Sequence, residues 1–96
     1  MHEGVDSLDG VWSVSRVSGL LPPLVGVRKR IHGTSGRTEL GPLPGMPFDV
    51  VGLSLRYRAP FRAFVDELTP VQPDAYLGRA TVAGRPFGTF RLNRIS

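Results

Sequence analysis

Residues 8–18 read Leu-Asp-Gly-Val-Trp-Ser-Val-Ser-Arg-Val-Ser, and this stretch decides the fold. It contains the only tryptophan of the chain, Trp12, in a run where apolar and polar residues alternate. Trp12 and Val14 share one face of that run, while the intervening serines share the other. A period of two with β-branched residues indicates a β-strand. We therefore expect the first strand at residues 11–18, with Trp12 as the plug at one end of a small barrel.

The rest of the chain repeats this pattern of short strands separated by glycine and proline turns. The segments 19–23 and 41–47 contain prolines, which cannot occupy an inner strand, and we expect loops there, with a turn at residues 69–74. Residues 61–68 carry apolar side chains at helical spacing, but their position between two strands favours a bulged strand over a short helix. The expected strands are 11–18, 25–32, 37–40, 48–51, 53–58, 61–68, 75–83 and 87–95.

These strands predict an all-β fold, a single small antiparallel up-and-down β-barrel of about eight short strands. A chain of 96 residues is enough for one domain. Closing a small sheet into a barrel removes its exposed edges, and eight strands leave an interior that side chains can fill or that holds one small ligand. We expect a flexible N-terminus at residues 1–8 and one β-barrel domain at residues 9–96.

The composition excludes several classes of protein. The chain has no cysteine, so disulfides, thiol catalysis and thiolate metal sites are excluded. Acidic residues near the N-terminus occupy the place of a basic export signal, and the most apolar stretch, residues 20–27, is too short to span a membrane. We expect a cytoplasmic protein, either a monomer or a homodimer.

The motif Gly10-Val11-Trp12 resembles the G-x-W signature of lipocalin-like (calycin) barrels. The resemblance implies that the tryptophan closes one end of the barrel. It also implies that an arginine of the last strand packs across the indole ring, a cation–π contact of about 0.5–2 kcal/mol. Arg91 and Arg94 lie in the last strand, and Arg94 is the expected partner. Gly10, Trp12 and Arg94 are thus expected to be structural residues.

The C-terminal half resembles a small bacterial domain of unknown function that follows a G-x-W-x-G segment. That family's pattern runs Tyr…Pro…Asp…Asp-x-x-Leu-Gly…aromatic-x-Leu-x-Arg, and the matching segments here are 55–60, 65–66, 74–78 and 86–94. This chain departs from the pattern at Ser13-Val14, which replaces the x-Gly after the tryptophan, and it is shorter. The resemblance implies the fold and brings no activity with it.

The chain lacks the motifs of common catalytic and cofactor sites. It has no G-x-S-x-G element and no phosphate-binding loop. His2 and His32 are the only histidines, and no acid or histidine lies at ligand spacing from His32. We therefore expect no metal and no cofactor, with one axial haem ligand from His32 as the remaining alternative.

Asp66 and Glu67 are the candidate catalytic residues. They are adjacent in one expected strand, so either register points one carboxylate into the barrel. An inward carboxylate among apolar side chains has a raised pKa unless an arginine pairs with it, and it can then serve in proton transfer. A bulge, or a strand end that reaches solvent, removes this argument.

Basic residues are expected to form an outer face of the barrel, and nucleic acid is therefore one alternative partner. The formal net charge is +4, and nearly all of the basic residues are arginines. The aromatic side chains mostly alternate with these arginines and so point into the core, which argues against base stacking. The expected members of this basic face are Arg28, Lys29, Arg30, Arg56, Arg58 and Arg62.

The sequence therefore favours a barrel that binds a small hydrophobic molecule, such as a fatty acid or a polyketide-like metabolite. The ligand is expected at the end opposite Trp12, under the apolar 20–24 loop. The alternatives are a cyclase or isomerase that uses Asp66 or Glu67 with Tyr57, and a nucleic-acid- or protein-binding module that uses the arginine face. The expected ligand-binding residues are Leu53, Leu55, Tyr57, Phe64, Leu77 and Phe90.

Overall fold

The structure is a computed structural model that describes residues 7–96. Most of the expected N-terminal segment 1–8, including His2, lies outside the described residues. Within residues 7–96 all regular secondary structure is β-strand, which confirms the all-β fold. The strands are β1 (Gly10–Gly19), β2 (Val27–His32), β3 (Ser35–Leu40), β4 (Met46–Val51), β5 (Ser54–Tyr57), β6 (Phe64–Gln72), β7 (Ala75–Val82) and β8 (Arg85–Arg94).

The eight strands form a closed antiparallel barrel in sequence order. Each strand pairs with the next, and β8 returns to pair with β1. Four of the connections are two-residue turns, at residues 33–34, 52–53, 73–74 and 83–84. Short hairpins of this kind join antiparallel neighbours, so the chain order alone produces the up-and-down topology.

β6 differs from its expected position. It begins at Phe64 and not at Phe61, and it continues to Gln72, through most of the expected turn at residues 69–74. Residues 61–63 belong to the turn region before β6, so neither a helix nor a strand begins at Phe61. Pro70 is tolerated within β6 because its nitrogen faces the same side as the Leu68 amide, towards β5, and the β5–β6 pairing has already ended there. No ladder hydrogen bond is needed from that position, so the donor that proline lacks is not required.

Trp12 is fully buried and fills one end of the barrel. Its Nε1 donates to the carbonyl of Leu8 at 2.9 Å, and the Arg94 guanidinium lies 4.2 Å from the centre of the indole ring. Tyr76 packs edge-on against the indole, with the ring centres 5.4 Å apart. Leu8 is itself buried, so the packed structure begins before β1. We call this region the Trp12 end.

Arg94 also links the segment before β1 to the turn between β6 and β7 at the Trp12 end. Its Nε donates to Asp74 Oδ1 at 2.7 Å, and its two terminal nitrogens donate to the carbonyls of Ser7 and Asp9. Gly10 allows this arrangement, because its φ of +133° lies where side chains are strained. A Cβ at Gly10 would also meet the Arg94 guanidinium. The glycine therefore lets the arginine reach across the indole.

Candidate functional site

A buried polar cluster lies inside the barrel, next to the Trp12 end. Its members are Lys29 on β2, Thr38 on β3, Tyr57 on β5 and Asp66 on β6. Lys29 points inward because it lies between Val27 and Ile31 on β2, and alternate residues of a strand share a face. The register places Lys29 directly opposite Trp12 on β1. We call these four residues the Lys29 cluster.

The Lys29 ammonium, with the residue only 3% exposed, donates to all three of its neighbours. Its Nζ lies 2.6 Å from Thr38 Oγ1, 2.8 Å from the Tyr57 hydroxyl and 3.1 Å from Asp66 Oδ2. The Tyr57 hydroxyl lies 2.7 Å from Thr38 Oγ1 and donates to Asp66 Oδ2 at 3.1 Å. An ammonium has three N–H donors, so Lys29 has none left for another partner.

The electrostatics of the cluster favour a charged lysine and a neutral tyrosine. Burial alone lowers the pKa of Lys29, but the interactions of its ammonium with Tyr57 and Asp66 together outweigh burial and raise that pKa. Burial raises the pKa of Tyr57. At neutral pH Lys29 is therefore an ammonium, and Tyr57 is a phenol that donates its proton to Asp66.

The Lys29 ammonium also faces aromatic rings. It lies 5.4 Å from the ring centres of Tyr57 and Phe90 and 5.6 Å from that of Phe48. Aromatic faces attract cations at such distances, so these rings add to the stabilisation that Asp66 provides. The ammonium is consequently held in one position inside the barrel.

A cavity of about 160 Å³ lies against the Lys29 cluster. Apart from Lys29, Thr38, Tyr57 and Asp66, its walls are apolar. Val14 on β1 lines it, two residues beyond Trp12, and Trp12 itself does not, so the cavity lies farther along β1 than the Trp12 end. The remaining lining residues are Leu21, Leu24, Val27, Met46, Phe64, Ala80, Phe87 and Phe90.

The barrel wall is interrupted beside this cavity. β1 pairs with β2 only over residues 10–13, whereas β1 itself continues to Gly19. The 20–26 loop, which we call the portal loop, occupies the gap, and the Val27 amide donates to the Leu24 carbonyl instead of to β1. An outer groove of about 750 Å³ lies on the far side of the gap. The groove and the cavity share the side chains that separate them: Val14, Leu21, Leu24 and Val27.

Three features hold the portal loop in place. Arg16 donates from Nε to the Leu21 carbonyl at 2.9 Å and from Nη2 to the Gly19 carbonyl at 2.6 Å. Leu21 packs onto β8 at Gly88, where a Cβ would come within 2.6 Å of the Leu21 Cγ. The Leu20 amide also donates to the Phe87 carbonyl at 2.8 Å. The loop is therefore closed by one arginine, one close contact and one backbone hydrogen bond, while the side chains of Leu20 and Val25 stay exposed.

We expect Arg16→Ala to loosen the portal loop without unfolding the barrel. Two hydrogen bonds from a charged donor are lost, each with a net contribution of about 1.5–3 kcal/mol when well formed, and less at an exposed site. Hydrogen exchange at the Val27 amide should accelerate by about tenfold or more, since that amide is protected by the loop. The matched control is Arg91→Ala, which removes an arginine bonded to Gln72 and Asn93 on the outer wall. Equal acceleration in both variants would show that Arg16 has no special role in closing the loop.

Of the six expected ligand-binding residues, the structure brings three together around the cavity. Tyr57, Phe64 and Phe90 line it. Leu55 is fully buried in the core but does not line the cavity. Leu21 and Leu24 of the portal loop cover the cavity, while Leu20 is exposed.

Leu53 and Leu77 lie elsewhere. The expected strand 53–58 would point Leu53 inward, but Leu53 belongs to the two-residue turn with Gly52 and is 42% exposed. Leu77 points outward because Tyr76 and Gly78, its neighbours on β7, are both buried on the inner face. It lies on the outer wall, in a depression shared with Glu67 and Thr69. Neither leucine reaches the cavity.

The two candidate carboxylates face opposite sides of the barrel wall. Asp66 is the inward one, and its partner is Lys29 rather than an arginine. Glu67 points outward and pairs with Arg79, with 2.6 Å between the nitrogen and oxygen atoms. Asp66 and Leu68 are two residues apart on β6 and are both buried, so both side chains lie on the inner face of the strand.

Lys29 was expected on the basic face, and that expectation is wrong, because its side chain lies inside the barrel. The signal that identifies it was present in the sequence: Val27, Lys29 and Ile31 share one period-two face of β2. The other expected members of the face are exposed. Two of them are paired with acids on the outer wall, Arg30 with Glu39 and Arg58 with Asp49.

His32 lies at the exposed end of β2. Within residues 7–96 no group of three or more acidic or histidine side chains is arranged to hold a metal ion. The same residues contain no helix long and apolar enough to cross a bilayer.

Comparisons with protein-family models, with curated proteins and with solved structures found no match to this chain. Functional inference therefore rests on the geometry of the cavity and the Lys29 cluster.

Proposed function

We propose that this protein binds a small, largely apolar molecule in the cavity beside the Lys29 cluster. The observation that carries the proposal is an apolar cavity with one buried polar wall, lying behind a loop that fills a gap in the barrel. Ligand sites of proteins commonly combine apolar walls with a few fixed polar groups. An eight-stranded barrel is also a size that holds one small ligand.

The volume of the cavity limits the ligand. A cavity of about 150 Å³ accepts a molecule of the size of benzene. The present cavity of about 160 Å³ therefore takes a ring or a short chain without rearrangement. A fatty acid or polyketide needs a larger space, which becomes available only if Leu21 and Leu24 move and the cavity joins the outer groove. We propose entry by this route.

The proposal includes membership of the lipocalin-like group. Three features support it: the closed eight-stranded barrel, the position of Trp12 at one end, and the stacking of Arg94 on the indole. The G-x-W spacing matches the resemblance noted in the sequence. The cavity lies beyond Val14, away from the Trp12 end, as a binding site in such a barrel would.

Toluene is a suitable first probe, because it matches the size of the cavity and needs no polar partner. We expect a dissociation constant on the order of 1 mM or lower, equivalent to about −4 kcal/mol. Two-dimensional amide NMR should show shifts at residues that line the cavity, such as Val14, Ala80 and Phe90.

A variant that fills the cavity provides the specific control. Ala80 is buried and lines the cavity, so Ala80→Leu should block toluene binding. Ala63→Leu makes the same change in an exposed turn and should leave binding unchanged. Binding that persists in Ala80→Leu, or that is absent from the wild-type protein, would contradict the proposed function.

A further inference from the structure

We infer that the cavity selects a neutral molecule whose apolar body ends in a hydroxyl or N–H donor, and that this donor binds Asp66 Oδ1. The inference rests on the proposed function and specifies the class of ligand. In the Lys29 cluster the donors of Lys29 and Tyr57 are occupied, whereas one acceptor, Asp66 Oδ1, is open.

The positive end of the cluster is fully occupied. Lys29 uses its three donors on Thr38, Tyr57 and Asp66. Tyr57 donates its single proton to Asp66, and its oxygen already lies within hydrogen-bonding distance of both Lys29 and Thr38. A ligand carboxylate or carbonyl that enters the cavity therefore meets no open donor of Lys29 or Tyr57.

The negative end of the cluster has an open acceptor. Both hydrogen bonds to the Asp66 carboxylate fall on Oδ2, and among residues 7–96 no hydrogen bond reaches Oδ1. Among residues 7–96, every fully buried side-chain oxygen has a hydrogen-bond partner. Since Oδ1 has none, it is not fully buried and is accessible. Asp66 lines the cavity, and the cavity is thus the space from which a donor can approach Oδ1. A carboxylate oxygen is a strong acceptor for such a donor.

The charge balance of the cavity excludes ionic ligands. Among the described residues, Lys29 and Asp66 are the only charged ones that line it, and their charges cancel. A carboxylate ligand would add a second negative charge beside Asp66, and an ammonium ligand would add a second positive charge near Lys29. Either ion would lose its hydration in an apolar space without an available counter-ion. A neutral alcohol, phenol or amine-like N–H avoids this cost.

A panel of probes of similar size tests the inference on the wild-type protein. Phenol and toluene have nearly the same shape, and anisole has the oxygen without the proton. In an apolar cavity with no acceptor, phenol should bind about a hundredfold more weakly than toluene, because its hydroxyl loses water without replacement. With Asp66 Oδ1 available, we expect phenol to bind at least as tightly as toluene and more tightly than anisole. Benzoate and the benzylammonium ion should show no binding.

The outcomes separate this inference from the proposed function. If toluene binds but phenol binds more than tenfold more weakly, or if benzoate binds as well as phenol, the ligand class is wrong and the cavity remains a binding site. If none of the probes binds, the proposed function fails and the inference fails with it.

A double variant, Lys29→Met with Asp66→Leu, tests the origin of the preference. It removes both charges together and leaves neither one unpaired. We expect the ratio of its phenol affinity to its toluene affinity to fall at least tenfold below that of the wild-type protein, while the fluorescence of the buried Trp12 reports that the barrel is folded. An unchanged ratio in a folded double variant would overturn the assignment to Asp66. If the variant does not fold, the wild-type panel still decides the question.

Discussion

Replacement of Asp66 by asparagine is expected to lower the free energy of unfolding by about 3–5 kcal/mol, since it leaves the buried Lys29 ammonium without its counter-charge. The Lys29 side chain is only 4% exposed, and the ammonium lies 3.1 Å from the Asp66 carboxylate. Asparagine keeps the shape and one acceptor of the carboxyl group, so the loss reports the charge and not a cavity. Chemical denaturation followed by tryptophan fluorescence measures it, because Trp12 is the only tryptophan and is fully buried.

The neighbouring residue gives the matched control. Glu67→Gln makes the same kind of change, but in an exposed ion pair with Arg79 on the outer wall. Exposed pairs of this kind contribute about 0–1 kcal/mol. A loss below about 1 kcal/mol in Asp66→Asn, similar to that in Glu67→Gln, would mean that Lys29 is neutral or hydrated in the folded protein. The double variant of Lys29 and Asp66 should recover most of the lost stability, because apolar groups can replace a buried pair at little cost.

The burial of Lys29 cannot be predicted from the local sequence. The strand pattern predicts the inner face of β2 and includes Lys29 in it. A cluster of arginines around Lys29 in the sequence argues for solvent, because lysine is almost never fully buried without a partner. Its partners, Tyr57 and Asp66, are 28 and 37 positions away and become neighbours only through the barrel register. No local pattern identifies a contact of that kind.

The fold itself was predictable because its signals are local. Alternation and two-residue turns are read over a few positions, and together they predict eight strands and closure. The errors occur where register, rather than alternation, decides the outcome. β6 continues through Pro70, next to a shift in its register with β7. Leu53 is exposed because it lies in the hairpin turn between β4 and β5. The apolar residues of segment 20–24 predict a loop that covers the barrel. They do not predict the gap that this loop fills, because the gap depends on where the pairing of β1 with β2 ends.

Trp12→Ala is the second change with a large expected effect, a loss of about 3–5 kcal/mol in the free energy of unfolding. The indole is fully buried, packs against Tyr76 and Arg94, and donates to the Leu8 carbonyl. Its removal leaves a cavity at the Trp12 end and an arginine without its aromatic partner. Since the variant has no tryptophan, far-ultraviolet circular dichroism should follow its unfolding. A loss below about 1 kcal/mol would show that the Trp12 end is not a packed plug.

Trp12→Phe separates the structural role of this residue from the function of the cavity. Phenylalanine keeps an apolar ring but loses the Nε1 donor and much of the face over which Arg94 lies, so stability should fall by less than in Trp12→Ala. Lys29 lies directly opposite Trp12 in the strand register and lines the cavity, whereas Trp12 does not line it. Affinity for toluene should therefore stay within about twofold of wild type, a change of about 0.4 kcal/mol. A larger change in toluene affinity would mean that a change in packing at the Trp12 end alters the cavity through the Lys29 cluster. The barrel would then act as one packed unit, not as a structural end and a separate binding end.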